Sequence, residues 1–264
     1  MALVMNALAA STRLVDCSAS VPSLADATRF WTAVMGLELV ATGGTSAAPW
    51  AIMADPHTDQ RLCLVERDDE DRPFALTLEI RGAREFDGAV SALEKLGCRV
   101  ADRGDQLGNR WALVRDRSFL PLLLTELDED AESPHEGEAT ESIIAPAERP
   151  GIVLDTVVAV DDVSRAVDFW GEYLGMEEVD RGEIAAYVSM LHRGSGQMLT
   201  VIEGERAGSW WLGVCVDDLN RACRLFTDGG GVIDRRGRLD GGFQYAIGKA
   251  VGEVPVMLHT DHVH

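Results

Sequence analysis

Two stretches of this 264-residue chain carry the same residues in the same order. A shift of 139 positions (155 − 16) superimposes them, and a shift of 134 (245 − 111) holds near the end of each stretch. A chain that repeats itself over about a hundred residues folds as two similar domains. The pairs matched by the first shift are Asp16 with Asp155, Ala27 with Ala166, Phe30 with Phe169, Trp31 with Trp170, and Gly36 with Gly175.

The repeat divides the chain into four segments. Residues 1–13 form an N-terminal segment, 14–127 the first predicted domain, 128–150 a linker and 151–260 the second domain. The linker is rich in Glu and Pro and has few large aliphatic residues, so it cannot bury enough surface to offset the entropy of ordering it. We expect it to be exposed.

Charge and cysteine content narrow the class of protein. The formal net charge of −20 disfavours nucleic acids and anionic membranes as partners, because both attract basic proteins. The five cysteines are odd in number and lack a CxxC spacing, which indicates reduced thiols rather than disulfides or a zinc site. Without a recognisable signal peptide or membrane span, the sequence predicts a cytoplasmic protein.

Hydrophobic periodicity predicts the same elements twice in each half. Apolar residues at helical spacing, with a Ser23 cap and a Gly36 stop, predict a helix after the first strand. Each half therefore comprises two βαβββ units, an α+β architecture with helices on one face of a curved mixed sheet. Helices are predicted near 24–34, 85–96, 163–174 and 219–228, and strands at 14–21, 50–54, 62–66, 74–80, 110–115, 120–126, 153–160, 184–191, 198–203, 210–216, 245–248 and 254–260.

Two segments resemble the opening signature of the vicinal oxygen chelate superfamily. They are AVDDVSRAVDFWGEYLGMEEV at 159–179 and SLADATRFWTAVMGLELV at 23–40. This superfamily includes glyoxalase I, extradiol dioxygenases, methylmalonyl-CoA epimerase and bleomycin-resistance proteins. The resemblance implies tandem glyoxalase-like domains, in each of which two units wrap a cup with a divalent metal at its floor.

The resemblance also places the metal ligands, normally His or Gln on the first strand, His on the fifth and Glu on the eighth. Most residues at these positions cannot act as ordinary ligands of such ions. We therefore predict no metal and no other cofactor. The positions are Cys17, Ala75 and Leu123 in the first half and Thr156, Trp211 and Met257 in the second.

Strand alternation predicts which side chains line the cups. Ala75, Thr77 and Glu79 should face the first cup, and Trp211, Gly213 and Cys215 the second. Trp31 and Trp170 are expected in the core instead. The predicted ligand-binding residues are Cys17, Thr77, Glu79, Trp111, Leu123, Thr156, Trp211, Cys215, Tyr245 and Met257, with Thr125 and His259 also facing inward.

Three residues are candidates for moving protons. Glu79 in an apolar cup could act as acid or base, with Arg110 or Tyr245 as further proton handlers. A structural role for Glu79, as a solvated residue or a partner of Arg110, is the alternative. The histidines are assigned to turns or to a C-terminal tail: His57 and His192 in equivalent hairpin turns, and His259, His262 and His264 at the end of the chain.

The favoured function is metal-independent binding of a hydrophobic or aromatic small molecule, as in sequestration or resistance proteins. The alternative is a metal-free isomerase, cyclase or lyase acting on a polyketide-like or aromatic metabolite. A third hypothesis is a scaffold for protein interaction, favoured if the cups are filled by their own side chains. A homodimer is left open. Because the two halves differ at the cup positions, one working cup is expected.

Overall fold

A computed structural model describes residues 12–67, 74–106, 109–115, 121–128, 148–181, 187–204, 208–238 and 243–260. Within these ranges the chain forms two eight-stranded mixed sheets and four helices, one sheet and two helices in each half. The α+β prediction is therefore confirmed. The predicted linker and N-terminal segment lie mostly outside the described residues.

The first sheet and its helices occupy residues 12–127. Its elements in chain order are β1 (Thr12–Val21), α1 (Leu24–Ala33), β2 (Glu38–Thr45), β3 (Ala48–Ala54), β4 (Arg61–Glu66), β5 (Ala75–Arg81), α2 (Ala83–Lys95), β6 (Arg99–Gln106), β7 (Asn109–Arg115) and β8 (Pro121–Leu127).

The second sheet and its helices repeat this order in residues 152–259. The elements are β9 (Ile152–Val160), α3 (Val163–Leu174), β10 (Glu177–Arg181), β11 (Tyr187–His192), β12 (Gln197–Glu203), β13 (Trp210–Cys215), α4 (Leu219–Asp228), β14 (Val232–Arg238), β15 (Gln244–Lys249) and β16 (Pro255–His259).

Strand order shows that each sheet joins two βαβββ units through their first strands. The first sheet runs β2-β3-β4-β1-β5-β8-β7-β6 and the second β10-β11-β12-β9-β13-β16-β15-β14. In every unit the first strand pairs in parallel with the last, and the two first strands pair antiparallel. The four strands at the outer edges are the second strands of the units.

Local sequence explains where the helices begin and end. Ser23, Asp162 and Asp218 cap α1, α3 and α4, each accepting a hydrogen bond from a backbone N–H in the first turn. The cap holds the pKa of Asp218 below its usual range, chiefly through the N–H of Arg221. Gly175 ends α3 at φ 65°, a left-handed conformation that glycine adopts without strain.

A single apolar core joins the two halves. It contains the helix-facing residues of both sheets and the buried faces of all four helices. Trp31 and Trp170 are fully buried in it, which confirms their predicted role. Phe30 on α1 meets Phe226 on α4 edge to face, with centroids 5.6 Å apart, so a helix of each half contributes to the contact.

No helix among the described residues is long and apolar enough to cross a membrane.

Two buried glutamines tie the halves together reciprocally. Gln60 Nε2 donates to the carbonyl of Gly196 (2.9 Å), and its Oε1 accepts from the N–H of Met198 (3.0 Å). Gln197 Nε2 donates to the carbonyl of Asp59 (2.8 Å), and its Oε1 accepts from the N–H of Arg61 (3.1 Å). Each amide therefore completes the turn of the opposite half. We call these two residues the glutamine pair.

A second polar contact fixes the start of the second half. Asp55, which is fully buried, accepts from the N–H of Val153 at 2.8 Å and from Arg149 at 3.3 Å. Thr58 in the same turn donates to the carbonyl of Val153 at 2.5 Å. The turn between β3 and β4 therefore binds the first residues of β9.

Replacing either glutamine by alanine should destabilise the whole chain. Gln60→Ala leaves the partly buried N–H of Met198 and the carbonyl of Gly196 without their side-chain partner, and a buried group left unsatisfied costs roughly 1–3 kcal/mol. Urea unfolding should give a free energy of unfolding lower by about 2–4 kcal/mol for Gln60→Ala and for Gln197→Ala. Gln244→Ala, at an exposed side chain, is the control, and an equal effect there would refute the role of the pair.

Candidate functional site

The face of each sheet turned away from the helices forms a candidate site. We call these faces the first cup and the second cup. On β5, Leu76, Leu78 and Ile80 pack in the core, so the alternate residues turn to the first cup. On β13 the core residues are Trp210, Leu212 and Val214, and the second cup receives Trp211, Gly213 and Cys215. The predicted alternation of both strands is confirmed.

The first strands differ from the prediction. Cys17 lies in the core, not in the cup, and its thiol interacts with the side chain of Thr156 from the other half. The cause is a register shift in each half, between Leu14 and Asp16 on β1 and between Val153 and Asp155 on β9. One extra residue moves every later side chain to the opposite face. Asp16 and Asp155 therefore take the cup positions assigned to Cys17 and Thr156.

The buried thiols are protonated at neutral pH. Burial raises the pKa of Cys17 to about 12; the hydrogen bond with Thr156 opposes this increase, and the nearby charge of Asp16 adds a smaller increase. Burial also raises the pKa of Cys63 well above its ordinary value, again with Asp16 close by. A protonated thiol is neither a nucleophile nor a metal ligand.

The first cup carries a group of polar side chains beside a small apolar cluster of Val40, Ile52, Ala54 and Cys63. Ser18 and Thr77 share a hydrogen bond of 2.5 Å between their hydroxyl oxygens, and Ser18 also donates to Asp16 at 3.3 Å. Glu79 is 5% exposed and pairs in register with Thr125, beside Arg13 on the other side. Polar side chains of the first cup thus bond largely to one another.

Arg110 does not belong to the first cup. Its guanidinium donates to Glu126, to Asp87 at 2.9 Å and to the carbonyl of Ala83 at 2.8 Å, and it lies over the ring of Phe86 at 4.9 Å. These partners lie on α2 and the helix side of β8. The hydrogen bond with Glu126 raises the pKa of Arg110 further. The predicted proton handler is an anchor for the helix, and it does not pair with Glu79.

The floor of the second cup is apolar and aromatic. Val157, Ile247 and Met257 are buried there and form a cluster of their own, separate from the core. The partly exposed side chains of Trp211 and Tyr245 pack against it, together with Ile202. A floor of this kind suits the apolar body of an organic ligand.

Polar groups flank this apolar floor on two sides. On one side, Thr200 donates to the buried Asp155 and shares a hydrogen bond of 2.9 Å with Ser189. On the other side, His259 lies directly opposite Tyr245, and its ring stacks on Phe243 with centroids 5.5 Å apart. Gly213 leaves room for Asp155, because a Cβ atom there would fall 1.8 Å from its Oδ1.

Aromatic rings cover glycines along the walls of both cups. A Cβ atom on Gly104 would lie 2.9 Å from the indole of Trp111, its register partner. Gly43 faces Trp50 and Gly237 faces Tyr245 in the same way, with even less room. In three of the four units, then, an aromatic ring lies close over a glycine of the edge strand. The signal is visible in the sequence as a glycine seven or eight residues before the aromatic.

At the positions where the resemblance implies metal ligands, the described residues of both cups carry other side chains. The predicted fifth-strand and eighth-strand positions are Ala75 and Leu123 in the first cup and Trp211 and Met257 in the second. Asp16 and Asp155 bring one carboxylate each, a ligand that sequence reasoning missed by one residue. Among the described residues, no three His, Cys, Asp or Glu side chains are grouped so that they could hold a metal ion.

The remaining predicted residues divide between the two cups. Thr77, Glu79, Trp111 and Leu123 belong to the first, while Trp211, Cys215, Tyr245 and Met257 belong to the second. Glu79, Arg110 and Tyr245 lie on three different sheet faces, so they do not form one proton-transfer site. His57 lies in the predicted turn, whereas His192 ends strand β11 just before its turn and His259 ends strand β16; His262 and His264 lie outside the described residues.

Comparison with solved structures identifies the fold. The chain is similar to a Mn(II)-bound glyoxalase from Novosphingobium aromaticivorans, with 16% identity, a TM-score of 0.57, and coverage of 95% of this chain and 82% of that one. It is similar to the 2,3-dioxygenase LapB from Pseudomonas sp. KL28, with 12% identity, a TM-score of 0.57, and coverage of 96% and 93%. It is also similar to a variant of homoprotocatechuate 2,3-dioxygenase from B. fuscum, with 16% identity, a TM-score of 0.56, and coverage of 94% of this chain and 71% of that one.

These similarities and the strand order define the class. The chain has the vicinal oxygen chelate fold in the form of two tandem glyoxalase-like domains, as its sequence resemblance implied. No protein-family model and no curated protein sequence matches the chain. At such low identity the solved structures establish the fold alone, and activity has to be argued from the cups.

Cysteine labelling should report which thiol faces an accessible cup. Cys215 is partly exposed, whereas the other four cysteines are buried and burial raises the pKa of Cys17, Cys63 and Cys223. Iodoacetamide should therefore modify Cys215 first in the native protein, with mass spectrometry locating the adduct. Cys215→Ser should abolish the fast phase. Rapid modification of Cys17 or Cys63 would contradict this arrangement.

Proposed function

We propose that this protein binds a hydrophobic or aromatic small molecule without a metal, in the manner of sequestration or resistance proteins, and that the second cup is the binding site. The observation that carries the proposal is the composition of that cup. Buried Val157, Ile247 and Met257 form its floor, and the partly exposed rings of Trp211 and Tyr245 border it. Two of these five residues, Trp211 and Met257, stand where metal ligands would be expected.

The first cup supports the proposal by contrast. Its floor residues Asp16, Ser18 and Thr77 bond to one another, and that leaves fewer polar groups to recognise a ligand. We therefore propose a supporting role for it. This asymmetry agrees with the expectation of a single working cup.

A metal-free isomerase, cyclase or lyase is less well supported. That hypothesis assigns the proton transfer to Glu79, Arg110 or Tyr245. Arg110 lies on the helix side of its sheet, and Glu79 and Tyr245 border different cups. Binding without conversion is thus the simpler proposal.

We also propose a cytoplasmic location for the protein. All five cysteines are free, and two of them, Cys17 and Cys63, lie close together without a disulfide. Persisting free thiols are typical of a reducing compartment.

Tryptophan fluorescence can test binding at the second cup. Nitroaromatic probes quench tryptophan, so titration with 1-ethyl-4-nitrobenzene should give saturable quenching of the wild type. Trp211→Phe should weaken binding by about three- to tenfold, because aromatic contacts contribute roughly 0.5–1.5 kcal/mol beyond buried area. Mass spectrometry should recover the probe unchanged.

Neighbouring tryptophans provide matched controls. Trp210 precedes Trp211 on the same strand but packs in the core against Phe74, and Trp111 lines the first cup. Trp210→Phe and Trp111→Phe should bind the probe as the wild type does, provided that circular dichroism shows them folded. A loss of affinity confined to Trp111→Phe would assign binding to the first cup and contradict the proposal.

Elemental analysis addresses the absence of a metal directly. The purified protein should contain no stoichiometric Mn, Fe, Ni or Zn, and a chelator should leave both probe affinity and melting temperature unchanged. The reason is that the described residues offer no group of three ligands. One equivalent of metal, whose removal abolishes binding, would overturn the metal-free proposal.

A further inference from the structure

A buried histidine in the second cup lacks the partner that such a group normally has. His259 is 6% exposed, and neither ring nitrogen has a hydrogen-bond partner among the described residues. His192 is equally buried, yet its Nδ1 pairs with the Ser195 hydroxyl at 2.9 Å. Buried polar groups are nearly always paired because leaving them unpaired is costly. The imidazole therefore indicates a site that is completed by a group other than the described residues.

The position of His259 directs it to the cup. It follows Met257 by two residues on β16, and the residue between them, Leu258, packs in the core. Its register partners are Cys215 on β13 and Tyr245 on β15, which also face the cup. One face of the imidazole is covered by Phe243, with ring planes 21° apart, so stacking fixes the plane of the ring.

The equivalent residue of the first cup has a hydrogen-bond partner. Thr125 corresponds to His259 by the repeat (259 − 125 = 134), and its hydroxyl donates to the carbonyl of Leu78 at 3.5 Å. The same level of the sheet thus carries a satisfied hydroxyl in one half and an unsatisfied imidazole in the other. This difference distinguishes the second cup chemically.

We infer that His259 is the polar anchor of the second cup and that it selects ligands in which an aromatic body carries a hydrogen-bonding oxygen. The inference rests on the proposed function and adds the chemical class of the ligand. A neutral imidazole has one N–H donor and one acceptor nitrogen, which a hydroxyl group of the ligand can match. The apolar body would lie against Met257 and Trp211.

Two neutral probes of similar shape separate the polar contact from apolar binding. They are 4-nitrobenzyl alcohol and 1-ethyl-4-nitrobenzene, which differ by a hydroxyl in place of a methyl group. In His259→Phe the ring can still stack on Phe243 but has no nitrogen. The ratio of the alcohol's affinity to that of the ethyl compound should fall by about three- to tenfold in this variant, the usual worth of one hydrogen bond. His259→Gln, which keeps a donor and an acceptor, should retain much of the ratio.

Stability provides a second readout that does not need a ligand. His259→Phe should raise the melting temperature, since it removes an unsatisfied buried group and keeps the stacked ring. His192→Phe, the matched control at equal burial, should lower it because the bond to Ser195 is lost, and it should leave the probe ratio unchanged. A lower melting temperature for His259→Phe would overturn the inference, because the imidazole would then have a partner within the protein.

The outcomes separate this inference from the proposed function. If both probes bind saturably but their affinity ratio is the same in wild type and His259→Phe, the second cup binds ligands and His259 is not the anchor. If neither probe binds the wild type, the proposed function fails and this inference fails with it.

Discussion

The glutamine pair is the contact on which the arrangement of the two halves depends. A side-chain amide offers one donor group and one acceptor, like a peptide unit, so Gln60 and Gln197 can each stand in for a missing stretch of backbone in the opposite turn. Each turn leads directly into β4 or β12, and these strands pair with β1 and β9. The glutamine pair, at the contact between the two halves, therefore also helps to fix β1 and β9, the strands that carry Asp16 and Asp155 to the cup floors.

The two halves carry the same residue at the glutamine pair but different residues at the corresponding cup positions. Each glutamine makes in the other half the two bonds that its counterpart makes in return, and a change in one would leave backbone groups of the opposite turn without their side-chain partner. The cup positions bond mainly within their own half, so they can change independently. Thr77, Glu79 and Thr125 of the first cup correspond to Gly213, Cys215 and His259 of the second, following the offsets of 136 (213 − 77; 215 − 79) and 134 (259 − 125).

Much of the fold could be predicted from the sequence because its signals are local. Helices at 163–174 and 219–228 have clear caps and apolar stripes, and the structure places α3 and α4 at these residues. The sequence does not predict the bounds of the four edge strands, β2, β6, β10 and β14. All five residues of β10 are exposed, and β14 is nearly so, so neither shows the alternation by which a half-buried strand is recognised. The cup floors were predicted one residue out on β1 and β9, because a bulge is set by pairing and not by composition.

The rings that lie over glycines also have a consequence for the proposed binding. Trp111 and Tyr245 lie against Gly104 and Gly237, where a Cβ atom would collide with them. Such rings have little rotational freedom to lose when a ligand arrives, so their surface is available at a small entropic cost. For the proposed binding, this implies that a ligand would enter a preformed gap between fixed rings, and that the residue on the edge strand beneath each ring would set the width of the gap without touching the ligand.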